Sequence, residues 1–80
     1  MPRFLLHHRH EPNECGAVYA AWKGFDSPLR HGATLASCLQ GGHAIWWEVE
    51  ASDGSGALAL LPPYVATRTA ALAVSEVEIP

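Results

Sequence analysis

Trp46 and Trp47 stand side by side in the run His43-Ala44-Ile45-Trp46-Trp47-Glu48-Val49-Glu50, whose aromatic and β-branched content reads as a strand. Successive side chains of a strand point to opposite faces of the sheet, so the two indoles cannot share one core. Leu5 and Leu6 make the same demand in a first strand over Phe4 to His10. A sheet with large apolar groups on both faces needs cover on both. The 80 residues form one domain, 1–80, and a chain of this size buries only about 60% of the surface that its unfolded form exposes. The second cover is therefore expected from another copy of the chain, giving a homodimer joined through the sheet.

Between these strands the periodicity changes. Val18, Ala21, Trp22 and Phe25 fall at i, i+3, i+4 and i+7, one apolar stripe of a helix, and Cys15 extends it by a turn. Asn13 is placed to cap this helix and Gly24 to end it. Asp26 to Gly32 has loop composition. Ala33 to Leu39 reads as a second strand, joined through Gln40-Gly41-Gly42 to the tryptophan strand as a hairpin. Ser52 or Asp53 caps a second helix over Ser55 to Leu61, which stops at Pro62-Pro63, and a further helical turn is placed within Tyr64 to Thr69. Leu72 to Ile79 alternates as a last strand. The expected fold class is α+β: a ferredoxin-like β-α-β-β-α-β sandwich, with a four-stranded antiparallel sheet ordered 4-1-3-2 and two helices on one face.

The stretch Leu60-Leu61-Pro62-Pro63-Tyr64-Val65, followed by a strand ending Val77-Glu78-Ile79, resembles the end of muconolactone isomerase-like chains. In topology the whole chain is similar to the dimeric α+β barrel superfamily, with its muconolactone isomerase-like, YciI-like and antibiotic-monooxygenase-like members. The resemblance implies a homodimer and transfers no catalytic residue. Some small members of the superfamily resemble nickel-binding proteins.

Composition narrows the partners. A net charge of −3, with five scattered Lys and Arg, offers no basic surface for nucleic acid. No apolar run approaches the roughly 20 residues that span a bilayer, and the first residues hold no signal-peptide core, so a cytoplasmic location without membrane contact is expected. Phosphate loops, GxSxG elbows and HExxH motifs are absent from the sequence.

Chemistry is concentrated in His and Cys. His8 and His10 end the first strand, Cys15 opens the first helix, Cys38 ends the second strand and His43 begins the third. The antiparallel topology brings these ends together, so His8, His10, Cys15, Cys38 and His43 are expected to gather at one end of the sheet. Imidazole with thiolate suits Zn, Ni or Cu. Two cysteines without a CxxC pattern also fit buried packing thiols, and the histidines also fit hydrogen-bonded or acid–base roles. Trp22, Trp46, Trp47, Arg9 and His31 are candidates to line a substrate pocket, with Arg9 free to bind an anion or to pair with Glu48 or Glu50. Two functions follow: a small homodimeric ligand-binding protein whose His/Cys cluster holds a transition metal, or a cofactor-independent enzyme, of isomerase or monooxygenase type, acting on a small organic substrate.

Overall fold

The computed structural model describes residues 1–80. Four strands, β1 (Arg3–Arg9), β2 (Leu35–Ala36), β3 (Ala44–Glu50) and β4 (Thr69–Val74), form one antiparallel sheet ordered β2-β3-β1-β4. Arg3 to Arg9 pairs with Glu50 to Ala44 on one side, and Arg3 to His8 with Val74 to Thr69 on the other. β1 is thus an interior strand paired along both sides, and it alternates strictly: Phe4, Leu6 and His8 point inward, while Leu5 and His7 point out.

The expected sandwich with two helices laid across one face does not form. Three short helices take their place: α1 (Cys15–Ala20), α2 (Gly54–Leu58) and α3 (Pro63–Ala66). The apolar stripe that predicted a helix as far as Gly24 is cut at Ala20. Beyond it Trp22 and Lys23 close tight turns onto Tyr19 and Ala20, and Gly24 reverses the chain at φ 75°. The second helix begins at Gly54 but stops at Leu58, short of the expected Leu61: the Leu60 and Leu61 N–H groups close tight turns onto Ala57 and Leu58, and Pro62 has no backbone N–H to extend it. Asp53 caps what remains, its Oδ1 accepting from Gly56 N at 2.7 Å.

The other elements also shift. Asn13 is not the cap of the first helix. A 3-10 turn over Pro12–Glu14 leads into α1, with Glu11 N–H donating to Glu14 Oε1 at 2.9 Å and Glu14 N–H donating to the Glu11 carbonyl at 2.9 Å. The second strand shrinks from the expected Ala33–Leu39 to two residues, since Cys38–Gln40 coils into a 3-10 turn. The last strand lies earlier than its alternation suggested, and Val77 and Ile79 remain exposed outside it.

The core lies between the inner sheet face and the three helices. Phe4, Leu6, Ile45, Trp47 and Val49 meet Val18 of α1, Ala57 of α2, Val65 of α3 and Leu61 from the link between α2 and α3. Removing such a side chain, as in Leu6→Ala, costs about 2–5 kcal/mol. Trp46 and Trp47 do part to opposite faces. Trp47 is buried, whereas Trp46 stacks on His7 outside at a ring separation of 5.3 Å.

Candidate metal centre

Four side chains from four separate segments converge beyond the end of β1. His10 follows β1, Cys15 opens α1, Cys38 begins the 3-10 turn after β2, and His43 immediately precedes β3. Their donor atoms all lie within 4.8 Å of one another. His10 Nε2 is 3.2 Å from Cys15 Sγ and 3.7 Å from Cys38 Sγ, and His43 Nδ1 is 3.1 Å from Cys15 Sγ.

Local backbone explains the convergence. His10 N–H donates to the His43 carbonyl at 3.1 Å, continuing the β1–β3 ladder one step beyond the strands and setting the two histidines side by side. His43 has the left-handed backbone, φ 51°, which ordinary residues rarely adopt. Ser37 ties the turn shut: its N–H donates to the Ala44 carbonyl at 2.8 Å and its carbonyl accepts from Gly42 N at 2.8 Å. Its hydroxyl accepts from Ala44 N at 3.1 Å. On the opposite side, Glu14 binds Arg68 (Nη2 to Oε2, 2.8 Å) and accepts from Tyr64 Oη at 3.0 Å, fixing the start of α1 against α3. These three bonding partners hold the Glu14 carboxyl down at about 2, the Glu11 backbone N–H first, then Arg68 and Tyr64.

His8, the fifth residue expected at the cluster, stands one step behind it. It is fully buried, and both ring nitrogens are engaged. The Thr69 hydroxyl donates to the Val65 carbonyl at 2.7 Å. His8 Nδ1 lies 3.0 Å from Thr69 Oγ1 and 3.3 Å from the same carbonyl, which can only accept, so Nδ1 carries the proton. His8 Nε2 is then a lone pair, and its 2.9 Å contact with His10 Nδ1 requires the proton on His10. That leaves the Nε2 lone pair of His10 facing Cys15 and Cys38. Burial pushes both histidines below their ordinary pKa, with His10 further lowered by His43, so both favour the neutral form that this proton order needs.

The Cys15 thiol is less activated than its position at a helix start suggests. Burial and the neighbouring Cys38 push the Cys15 thiol up, and α1, with six residues, brings too small a dipole to reverse this. Tyr19 supplies a donor that sequence reasoning missed: its hydroxyl donates to Cys38 Sγ at 3.6 Å. That bond first, and burial second, push the phenol up to about 12. The spacing of Cys15 and Tyr19, i and i+4 on one helix face, was the available signal.

The candidate pocket residues separate. Trp22, His31 and Trp47 line one cleft on the inner side of the sheet. Trp46 is on the outer face beside Leu5, Leu35 and Glu48. Arg9 is exposed and cannot reach Glu48 or Glu50, because the antiparallel register sets it opposite Ala44; Arg3 binds Glu48 at 3.7 Å and Glu76 at 3.2 Å instead.

Comparison with protein families, curated proteins and solved structures gave no match, so function has to be read from the site itself. The chain has a His/Cys cluster close enough to hold a metal ion, and no helix of it is long and apolar enough to cross a membrane.

Proposed function

We propose that the protein is a transition-metal-binding module that coordinates Zn2+ through His10 Nε2, Cys15 Sγ, Cys38 Sγ and His43 Nδ1. The convergence of these four donors carries the proposal. Tetrahedral Zn2+, with bonds of about 2.3 Å to sulfur and about 2.05 Å to nitrogen, sets N···S separations near 3.6 Å. The observed separations, 3.1, 3.2 and 3.7 Å, surround that value. A thiol and a neutral imidazole can hydrogen-bond at similar range, so the pairs alone decide nothing. Four such donors meeting from four segments is the discriminating feature.

Two thiolates and two imidazoles favour Zn2+ over Ni2+ or Cu2+, which prefer square-planar or tetragonal sites. Four protein ligands leave no open position for substrate, so the ion's role is to clamp the loops. A second copy of the chain, packed on the outer sheet face, completes the molecule in this reading.

The test is metal analysis of protein purified without a histidine tag, followed by titration against a chromophoric chelator. The expected result is a single Zn2+ per chain, and a cobalt-substituted form with tetrahedral, thiolate-ligated absorption. Cys15→Ser abolishes both. Absence of metal, together with unchanged melting after addition of Zn2+, Ni2+ and Cu2+, overturns the proposal.

A further inference from the structure

Beside the metal centre lies a cleft of about 530 Å3, bounded by α1, the 23–34 loop and the inner face of β2 and β3. This volume is within the range of small-molecule sites, about 300–1,000 Å3. Its apolar floor is made by Trp22 and Trp47, whose rings sit 5.8 Å apart, with Ile45 and Leu29 beside them. Its rim carries Lys23, Arg30 and His31, and no carboxylate lines it.

The charge distribution distinguishes this cleft from the rest of the surface. The chain has five Lys and Arg against eight acidic residues. Arg3 and Arg68 are each bound to glutamates within the chain. Of the three cations without such a partner, Arg9 is exposed at the end of β1, while Lys23 and Arg30 both line this cleft with Trp22 and Trp47. An aromatic surface next to two unneutralised cations matches a ligand with a flat ring and an attached anion. Gly32 is the only glycine lining the cleft, so it lacks the glycine-rich loop that would instead favour a polyphosphate.

We propose that this cleft binds a small aromatic carboxylate, its ring against Trp22 and Trp47 and its carboxylate between Lys23 and Arg30. This site is separate from the four metal ligands. Tyr19 borders both, lining the cleft while its hydroxyl bonds Cys38.

Titration of the full chain, followed by tryptophan fluorescence and calorimetry, tests the proposal with three probes: phenylacetate, phenylacetamide and acetate. Phenylacetate is expected to bind saturably, and the other two at least about tenfold more weakly, because one lacks the charge and the other the ring. A Lys23→Gln, Arg30→Gln double variant is expected to lose about tenfold in phenylacetate affinity, with its circular dichroism unchanged. Neither side chain makes a hydrogen bond or ion pair within the chain, and the amide comparison asks the same question without any substitution. Equal binding of the amide overturns the proposal, as does equal binding of acetate, absence of saturation, or undiminished affinity in the double variant. These readouts do not depend on whether the thiol and imidazole donors hold a metal.

Discussion

His8 is the residue on which the proposed zinc site turns, although it is not one of the four donors. Its Nε2 accepts from His10 Nδ1 at 2.9 Å, and that bond orients the His10 lone pair. Outer-shell partners of this kind typically cost 10- to 100-fold in metal affinity when lost. His8→Ala is therefore expected to weaken Zn2+ binding by roughly that factor while the tetrahedral cobalt spectrum survives, in contrast to His10→Ala, which loses the spectrum; competition with a chelator measures the first and absorption the second. The inward direction of His8 and His10 follows the parity of Phe4 and Leu6, which the sequence displays; which parity faces the helices is decided by packing against Val18, Leu61 and Val65, and no single segment contains that information. Glu14 shows the same limit. Its partners Tyr64 and Arg68 are 50 and 54 residues away, beyond any local pattern. With a folded pKa of about 2 against an ordinary 4.5, Glu14 adds stability that is complete above pH 4.5 and is lost as pH falls toward about 2. Glu14→Gln should lower stability at neutral pH and flatten the acid limb of the stability curve, as read by urea unfolding across that range.

At the level of elements, the turn from Cys38 to His43 decides whether the proposed donors that flank it, after β2 and before β3, meet. The sequence reading placed a hairpin there, correctly locating the Gln40-Gly41-Gly42 reversal. It missed that Cys38 enters a 3-10 turn, because that coil is imposed by Ser37 closing on Ala44 and Gly42. A Cβ on Gly42 would overlap the Ser37 hydroxyl and Cβ. Gly42→Ala must therefore shift this turn, at about 1–3 kcal/mol of apo stability, with metal affinity falling as the two ligands move apart. His43→Asn makes the opposite separation. Asparagine tolerates the left-handed backbone that His43 occupies, so apo melting stays close to the parent's while the imidazole ligand is gone. Thermal unfolding of both variants, with chelator and with Zn2+, distinguishes a turn that supports the site from a side chain that belongs to it.

The whole molecule is a slab with little interior. Only 14 of 80 residues are buried, and the extents are 39 × 29 × 20 Å. Its radius of gyration is 13.0 Å, above the roughly 11.6 Å expected of a compact chain of this length. Two sources of added stability fit such a shape. A metal at a thousandfold excess over its dissociation constant contributes about 4 kcal/mol, by holding together ends that the small core does not reach. The other source is the outer sheet face. Register sets Leu35, Trp46, His7 and Ala70 in one row across it, and Glu48, Leu5 and Leu72 in the next, so apolar groups from all four strands share a face with no helix over it. Leu35 is 77% exposed and Leu72 48%, so large apolar groups on the two edge strands, β2 and β4, flank Trp46 and Leu5 on a face open to solvent. This is the demand that the Trp46-Trp47 pair makes from sequence, now located on particular residues. A second copy placed on it would cover Trp46 and Leu72 together. Sedimentation equilibrium is expected to give a mass of twice 8.6 kDa. Leu72→Glu, which puts a charge on that face without touching the core or the four ligands, should return the mass to 8.6 kDa and leave Zn2+ affinity unchanged. A parent chain that sediments as a monomer would instead leave the outer face to another occupant, and would separate the dimer from the metal centre as independent properties of the fold.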